Sequence, residues 1–138
     1  MYYHITYLFI PISLIVTYLL PYSECFADLK PDNVGFTSDG TLKLFDFGLC
    51  TCVKTHSDPN DVYEMTGNTG SLRYMAPEVA LRKPYNEKVD VYSYGIMVWQ
   101  MARDRVPFKG LSKTGLTIYT VLRVLSIDVL CAAYRCIL

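Results

Sequence analysis

Asp28, Lys30 and Asn33 fall together in the stretch CFADLKPDN, residues 25–33, and Asp46 follows after one short connection. Phosphoryl transfer needs a carboxylate to receive a hydroxyl proton, cations to hold the triphosphate charge, and oxygen ligands to fix those cations. Asp28 suits the first role, and Lys30, two residues on, can reach a transferring phosphate as a point charge. Asn33 and Asp46 offer hard oxygens, which Mg²⁺ takes in preference to nitrogen or sulfur. Each residue alone has an ordinary explanation, since an Asp usually caps a turn and a Lys is usually solvated surface. The spacing of the set is what carries information.

Those side chains need elements to hold them. Residues 34–36 and 42–45 read as two short strands joined by Thr37-Ser38-Asp39-Gly40, a link whose late Asp and Gly supply the conformations of a tight hairpin. Asp46 stands at the hairpin's exit. Residues 48–73 are rich in Thr, Ser, Asn, Asp and Gly with no sustained period, and predict a long loop. Asn86 can cap a helix with Glu87 in its first turn. From Val89 to Met101 its apolar residues cover every face, which predicts a post buried all round, stopped by Pro107.

The chain has 138 residues, one domain's worth at most, with thirteen basic and thirteen acidic residues. Balanced charge and the absence of any Lys or Arg run argue against a nucleic-acid partner. With 51% hydrophobic residues, disorder is excluded. The five cysteines, with Cys50-x-Cys52 and Cys131-x4-Cys136, match no zinc or disulfide framework and read as free thiols of a reducing compartment. Residues 1–23 hold no Asp, Glu, Lys or Arg. Their apolar run is long enough to span a bilayer, although Pro11 interrupts it. The apolar run over 116–138 is broken by Arg123, Asp128 and Arg135 and predicts a buried or amphipathic helix.

Asp28-Leu29-Lys30-Pro31-Asp32-Asn33 resembles the catalytic loop of eukaryotic protein kinases, and Asp46-Phe47-Gly48 their metal-binding motif. Ala76-Pro77-Glu78 resembles the end of their activation segment, and Asp90-Val91-Tyr92-Ser93-Tyr94-Gly95 their central helix. Motifs in this order are far more specific together than apart. Lys30-Pro31 is similar to serine/threonine kinases rather than to the Ala-Arg of tyrosine kinases, and Val91 to Gly95 with Trp99 is similar to the tyrosine-kinase-like group.

The resemblance implies a fold that is mainly α with a short β-hairpin, a partial kinase C-lobe with the N-lobe absent. It divides the chain into an apolar segment 1–24, which stands where the family has its αE helix and reads as an αE-like helix or a membrane anchor, a partial kinase domain 25–110 and an apolar C-terminal helical segment 111–138 of unknown origin; a further reading takes both ends as foreign sequence joined to the kinase core. Asp28 and Lys30 are the implied catalytic residues, and Asn33 and Asp46 the implied ligands of Mg²⁺ and, through it, ATP. The implied acceptor is a protein Ser or Thr. Phe47, Gly48 and Asp90 are structural. Thr66, Thr69, Ser71 and Glu78 belong to the activation segment, with Thr66 and Thr69, ahead of Thr55, Ser57 and Tyr63, placed for phosphorylation. In serine/threonine kinases the hydroxyl at Ser71 touches the catalytic Asp and Lys.

Departures from the pattern matter as much. Phe26-Ala27 stands where the family has His-Arg. Phe26 can fill the apolar slot beside Phe47, but Ala27 cannot pair with a phosphate. The sequence holds no Gly-rich loop, no strand lysine and no helix to supply its Glu partner, and the Arg that pairs with Glu78 in the family is absent. The chain by itself is therefore expected to be inactive. Two further readings are an inactive pseudokinase-like binding module and a fragment anchored to a membrane through residues 5–22. The expected compartment is the cytoplasm, with membrane association as the alternative.

Overall fold

The computed structural model describes residues 24–52, 61–67, 70–112, 114–116 and 118. The apolar segment 1–23, Thr55, Ser57, Thr69, Arg123 and Arg135 lie outside the described residues. Among those described, no helix is long and apolar enough to cross a membrane.

Strand β1 (Glu24–Cys25) leads into the loop that holds Asp28. After a 3-10 turn over Pro31–Asn33, β2 (Val34–Phe36) and β3 (Leu42–Leu44) form the expected antiparallel hairpin, pairing Val34 with Leu44 and Phe36 with Leu42. The link closes as its composition predicts. Asp39 Oδ1 accepts from Thr41 N at 3.1 Å and from the Thr37 hydroxyl, and Gly40 takes φ +83°. Gly35 lies under Phe45: a Cβ there would come within 2.6 Å of the ring, so a larger residue would have to displace that exposed side chain.

The described parts of the stretch 48–73 hold short paired elements that its composition does not predict. A 3-10 turn covers Phe47–Leu49, and β4 (Thr51–Cys52) pairs antiparallel with β1. Tyr63 further on bridges to Tyr85. Two-residue strands carry no periodicity, and their pairing is set by tertiary contact, which composition does not report.

Helix α1 (Pro77–Ala80) opens with proline at its first position, where a missing N–H costs nothing. Helix α2 (Lys88–Arg103) is the longest described element. Asn86 Oδ1 accepts from Lys88 N at 3.2 Å, satisfying one of the donors left open at the helix start. Asp104, left-handed at φ 50°, ends the helix.

α2 is a post between two core clusters. It gives Val89 to one, with Cys25, Met75, Ala76, Val79 and Tyr85, and gives Ile96 and Met97 to the other, with Phe26, Leu29 and Tyr74. Burial all round is not observed: Val91 is exposed and Tyr92, Tyr94, Trp99 and Met101 are half-buried. The buried stripe instead includes Asp90 and Ser93. These polar residues can be inside because each is bonded there. Ser93 Oγ donates to Tyr74 O at 2.7 Å and bonds Val89 O at 3.1 Å. Counting apolar residues alone therefore misplaces the helix's inner face.

Candidate active site

The loop after β1 is held from below by one carboxylate. Asp90, in the first turn of α2, accepts from Phe26 N at 2.7 Å and from Ala27 N at 2.9 Å, one bond to each oxygen. Ala27 has φ 63°, a left-handed conformation that alanine adopts only when its surroundings enforce it. Burial pushes the Asp90 carboxyl up to about 6, and the two backbone donors pull it back towards the ionised form. Burial likewise pushes the neighbouring Cys25 thiol up, which leaves it unreactive.

Above this anchor, Asp28 is buried and bonded on every side. Its Oδ2 is 2.6 Å from Lys30 Nζ, and its Oδ1 accepts from Ser71 N at 2.7 Å. Asn33 Nδ2 donates to Asp28 O at 3.0 Å and to Oδ2 at 3.3 Å. Those bonds use the amide's nitrogen and turn its oxygen away from Asp28. Close approach of the chain at Gly70 makes the Ser71 contact feasible. Gly70 has φ +85°, and a Cβ there would lie 2.8 Å from Ala27 O and 3.0 Å from Asp28 Oδ1.

Asp46 arrives through the hairpin. Asn33 O accepts from Phe45 N at 2.9 Å, so the residue before Asp46 is tied directly to Asn33. Asp46 is left-handed at φ 59°, and its Oδ1 caps the following turn by accepting from Gly48 N at 3.4 Å. The Phe47 ring meets Phe26 edge-on, with centroids 5.3 Å apart and planes at 86°. This is the favoured geometry for aromatic pairs, and it shows that Phe26 does pack against Phe47 where the family has histidine.

The remaining candidates divide. Ser71 reaches Asp28 through its backbone N–H, not through the hydroxyl the resemblance implied. Thr66 is exposed, and its carbonyl accepts from Tyr85 Oη at 2.9 Å. Glu78, half-buried in the first turn of α1, makes no ion pair among the described residues. Tyr85 and Asn86 were not singled out as site residues, yet they moor the segment 61–67. Tyr63 and Tyr85 exchange backbone bonds at 2.9 and 3.1 Å, and Asn86 Nδ2 donates to Asp61 O at 2.9 Å. No local pattern marks a partner so far along the chain.

A cleft of about 570 Å³ opens beside Ser71, lined also by Pro31, Asp32, Leu72, Tyr74 and Leu116 among others.

A family model described as the protein kinase domain matches residues 5–130. The chain belongs to the protein kinase family. Over 83 residues, 59% of the chain and 19% of the relative, it is 46% identical to serine/threonine-protein kinase VIK of Arabidopsis thaliana. It is 40% identical over 85 residues to serine/threonine/tyrosine-protein kinase HT1 of the same plant, covering 62% of the chain and 20% of that protein. Human mitogen-activated protein kinase kinase kinase 7 is 44% identical over 82 residues, covering 59% of the chain and 12% of that protein. The chain thus spans about a fifth or less of the kinases it matches. The sequence resemblance to protein kinases is borne out.

Proposed function

We propose that this chain carries the catalytic centre of a protein kinase that transfers the γ-phosphoryl group of ATP to Ser or Thr of a protein. The observation that carries the reading is the convergence on Asp28: Lys30, Asn33 and the Ser71 amide, from two separate segments, all bond one buried carboxylate. A lysine paired with a buried carboxylate compensates its charge, and here it also sets a cation beside the oxygen. A group that must receive a hydroxyl proton in one fixed place gains from being held so.

In this reading Asp28 orients the acceptor hydroxyl and takes its proton as the oxygen bonds to phosphorus and the bridge to the β-phosphate breaks. Lys30 lies against Asp28 and places its positive charge where the phosphoryl oxygens pass. Asn33 and Asp46 fit a divalent cation, since both bring hard oxygen and the Asn33–Phe45 backbone bond places them at one end of the hairpin. Among the described residues no group of three His, Cys, Asp or Glu could cage a metal, and Mg²⁺ is held by few protein oxygens plus phosphates and water. When bound, that ion neutralises charge on the phosphates. The acceptor segment lies in the cleft beside Ser71 and Leu72.

The finer structural reading rests on the same ground. Residues 25–110 form part of the lower lobe, and this sequence has no Gly-rich loop or strand lysine to cover ATP. The 138-residue chain therefore binds Mg-ATP more weakly than micromolar, and calorimetry showing micromolar affinity would refute this. Activity is tested on protein made from the full-length transcript, with γ-labelled ATP, Mg²⁺ and casein as acceptor, followed by phosphoamino-acid analysis. Label on Ser or Thr that falls about a hundredfold or more in Asp28→Asn supports the proposal. Label on Tyr alone, no transfer, or transfer indifferent to Asp28→Asn overturns it.

A further inference from the structure

The loop that follows α2 borders a second cavity of about 570 Å³, lined by Trp99, Asp104, Arg105, Val106, Phe108 and Lys109. Two of these residues, Asp104 and Phe108, are left-handed at φ 50° and 55°, a conformation that is costly without glycine and most of all for a bulky side chain. The loop is held in it at two points. Phe108 packs against the core cluster of Phe26, Leu29 and Tyr74, and the carbonyl of buried Pro107 accepts from Arg73 Nη1 at 2.6 Å. Arg105 and Lys109 are exposed, and neither is in an ion pair among the described residues. Val106, also exposed, lines both this cavity and the cleft beside Ser71.

We propose that this cavity docks an acidic segment of the acceptor protein, with an aromatic side chain against Trp99 and Phe108 and carboxylates paired to Arg105 and Lys109. Acceptors that carry such a segment away from the phosphorylated Ser or Thr are thereby preferred. The proposal rests on the kinase reading in taking the cleft beside Ser71 as the acceptor's place.

Three observations point this way. First, the cavity has the size and lining of a recognition pocket, with two aromatic rings and a few polar groups around several hundred Å³. Second, its charge selects the occupant. The wall carries two cations against the single carboxylate of Asp104, and exposed Arg103 adds another cation one residue before it. An acidic segment complements that balance, whereas a basic one is repelled. Third, the cavity adjoins the acceptor cleft. The two share Val106 as a wall, and the Arg73–Pro107 bond ties the loop to a residue only two positions from Ser71. One acceptor can therefore occupy both, and a loop held rigidly to the segment at Asp28 transmits that docking as position.

The test reads the cavity directly, because Trp99, which lines it, is the chain's only tryptophan. The probe is the capped, tryptophan-free peptide Glu-Glu-Phe-Glu-Glu, titrated into the 138-residue chain. It should produce a saturable change in Trp99 emission that weakens as salt is raised. Replacing the peptide's Phe by Ala weakens binding about tenfold. Arg105→Gln combined with Lys109→Gln weakens it about threefold to tenfold; both residues are exposed, so the double variant keeps its fold, which circular dichroism verifies. No saturable change, equal binding of Lys-Lys-Phe-Lys-Lys, or binding indifferent to the double variant overturns the proposal. In protein made from the full-length transcript, a Ser acceptor peptide extended by the acidic segment should show a KM severalfold below that of the same peptide extended by Gly-Ser repeats, with kcat unchanged. The double variant should remove the difference, and equal KM values for the two peptides in the unaltered protein overturn the acceptor as occupant. Binding by Trp99 emission in a protein that transfers no phosphate would refute the kinase reading and leave the docking cavity standing, whereas transfer without binding would do the reverse.

Discussion

Asp90 places two demands in conflict, and their balance can be measured. Its carboxylate accepts the two N–H groups that fix the loop below Asp28, but it does so from a buried position that pushes its pKa from 3.8 to about 6. Desolvation is the largest cause, Glu87 adds a small repulsion, and the hydrogen bonds oppose both. The folded chain therefore keeps the Asp90 proton to higher pH than the unfolded chain does. Between about pH 4 and 6 the folded state binds more protons, so stability falls as pH rises through that window and levels off above it. At about 1.4 kcal/mol per unit, the loss attributable to this group is on the order of 3 kcal/mol.

Asp90→Asn removes that titration. At neutral pH it relieves the buried charge but turns an amide nitrogen towards one of the two backbone donors, which costs about 1–3 kcal/mol for an unsatisfied buried group. The two effects nearly cancel near pH 7, and at pH 4 only the cost remains. Urea unfolding followed by circular dichroism at pH 4, 5, 6 and 7 gives the stability difference between variant and parent. That difference should move in the variant's favour by about 2–3 kcal/mol from pH 4 to 7. Titrations common to both proteins cancel in it. A difference that does not change with pH would refute the reasoning, because it would mean that Asp90 titrates alike in the folded and unfolded chain.

Three further perturbations probe the surroundings of Asp28. Gly70→Ala forces a methyl to within 3.0 Å of Ala27 O and Asp28 Oδ1 at a φ of +85°; it should lower unfolding free energy by about 1–3 kcal/mol and shift the Ser71 amide resonance by NMR. Phe26→Ala empties a fully buried site beside Phe47 and should cost about 3–5 kcal/mol in urea unfolding. Gly67→Ala drives a Cβ into the Arg82 backbone and should speed proteolysis within 61–67 severalfold, while the urea midpoint moves by much less, since the segment only borders one core cluster, through half-buried Tyr63 and Met65.

What was legible in the sequence was local. Asp39-Gly40 between two apolar runs specifies the hairpin because the turn conformation is a property of those residues. Lys30, Asn33 and Asp28 meet because their spacing spans one loop and a 3-10 turn begun by Pro31. Long-range pairings were not legible. β1 and β4 are two residues each, and the Tyr63–Tyr85 bridge joins parts of the chain with no shared pattern. The inner face of α2 was misjudged for a related reason: Asp90 and Ser93 look like surface residues until their partners, Phe26, Ala27 and Tyr74, are known.

Those long-range pairings decide how Asp28 is held. The loop after β1 alone supplies Lys30 and Asn33, both local and both bonded to the same oxygen, Oδ2. Among the described residues the other oxygen is satisfied only from Ser71, and Ser71 reaches it because Gly70 lets the backbone pass against Ala27. If the segment through Gly70 and Ser71 lifts away, Oδ1 loses its donor and Asp28 is held through Oδ2 alone. The loop's position does not change, because Asp90 fixes that from the opposite side. The site therefore separates two tasks: α2 sets where the carboxylate stands, and the segment through Gly70 and Ser71 sets which way it faces. A perturbation at Asp90 should displace the loop, whereas one at Gly70 or Gly67 should loosen the carboxylate while leaving the backbone of residues 26–28 in place. Amide hydrogen exchange distinguishes the two: the Phe26 and Ala27 amides lose protection in Asp90→Asn and keep it in Gly67→Ala. Equal loss of protection in both variants would show that loop and segment open as one unit, and the division of labour would fail.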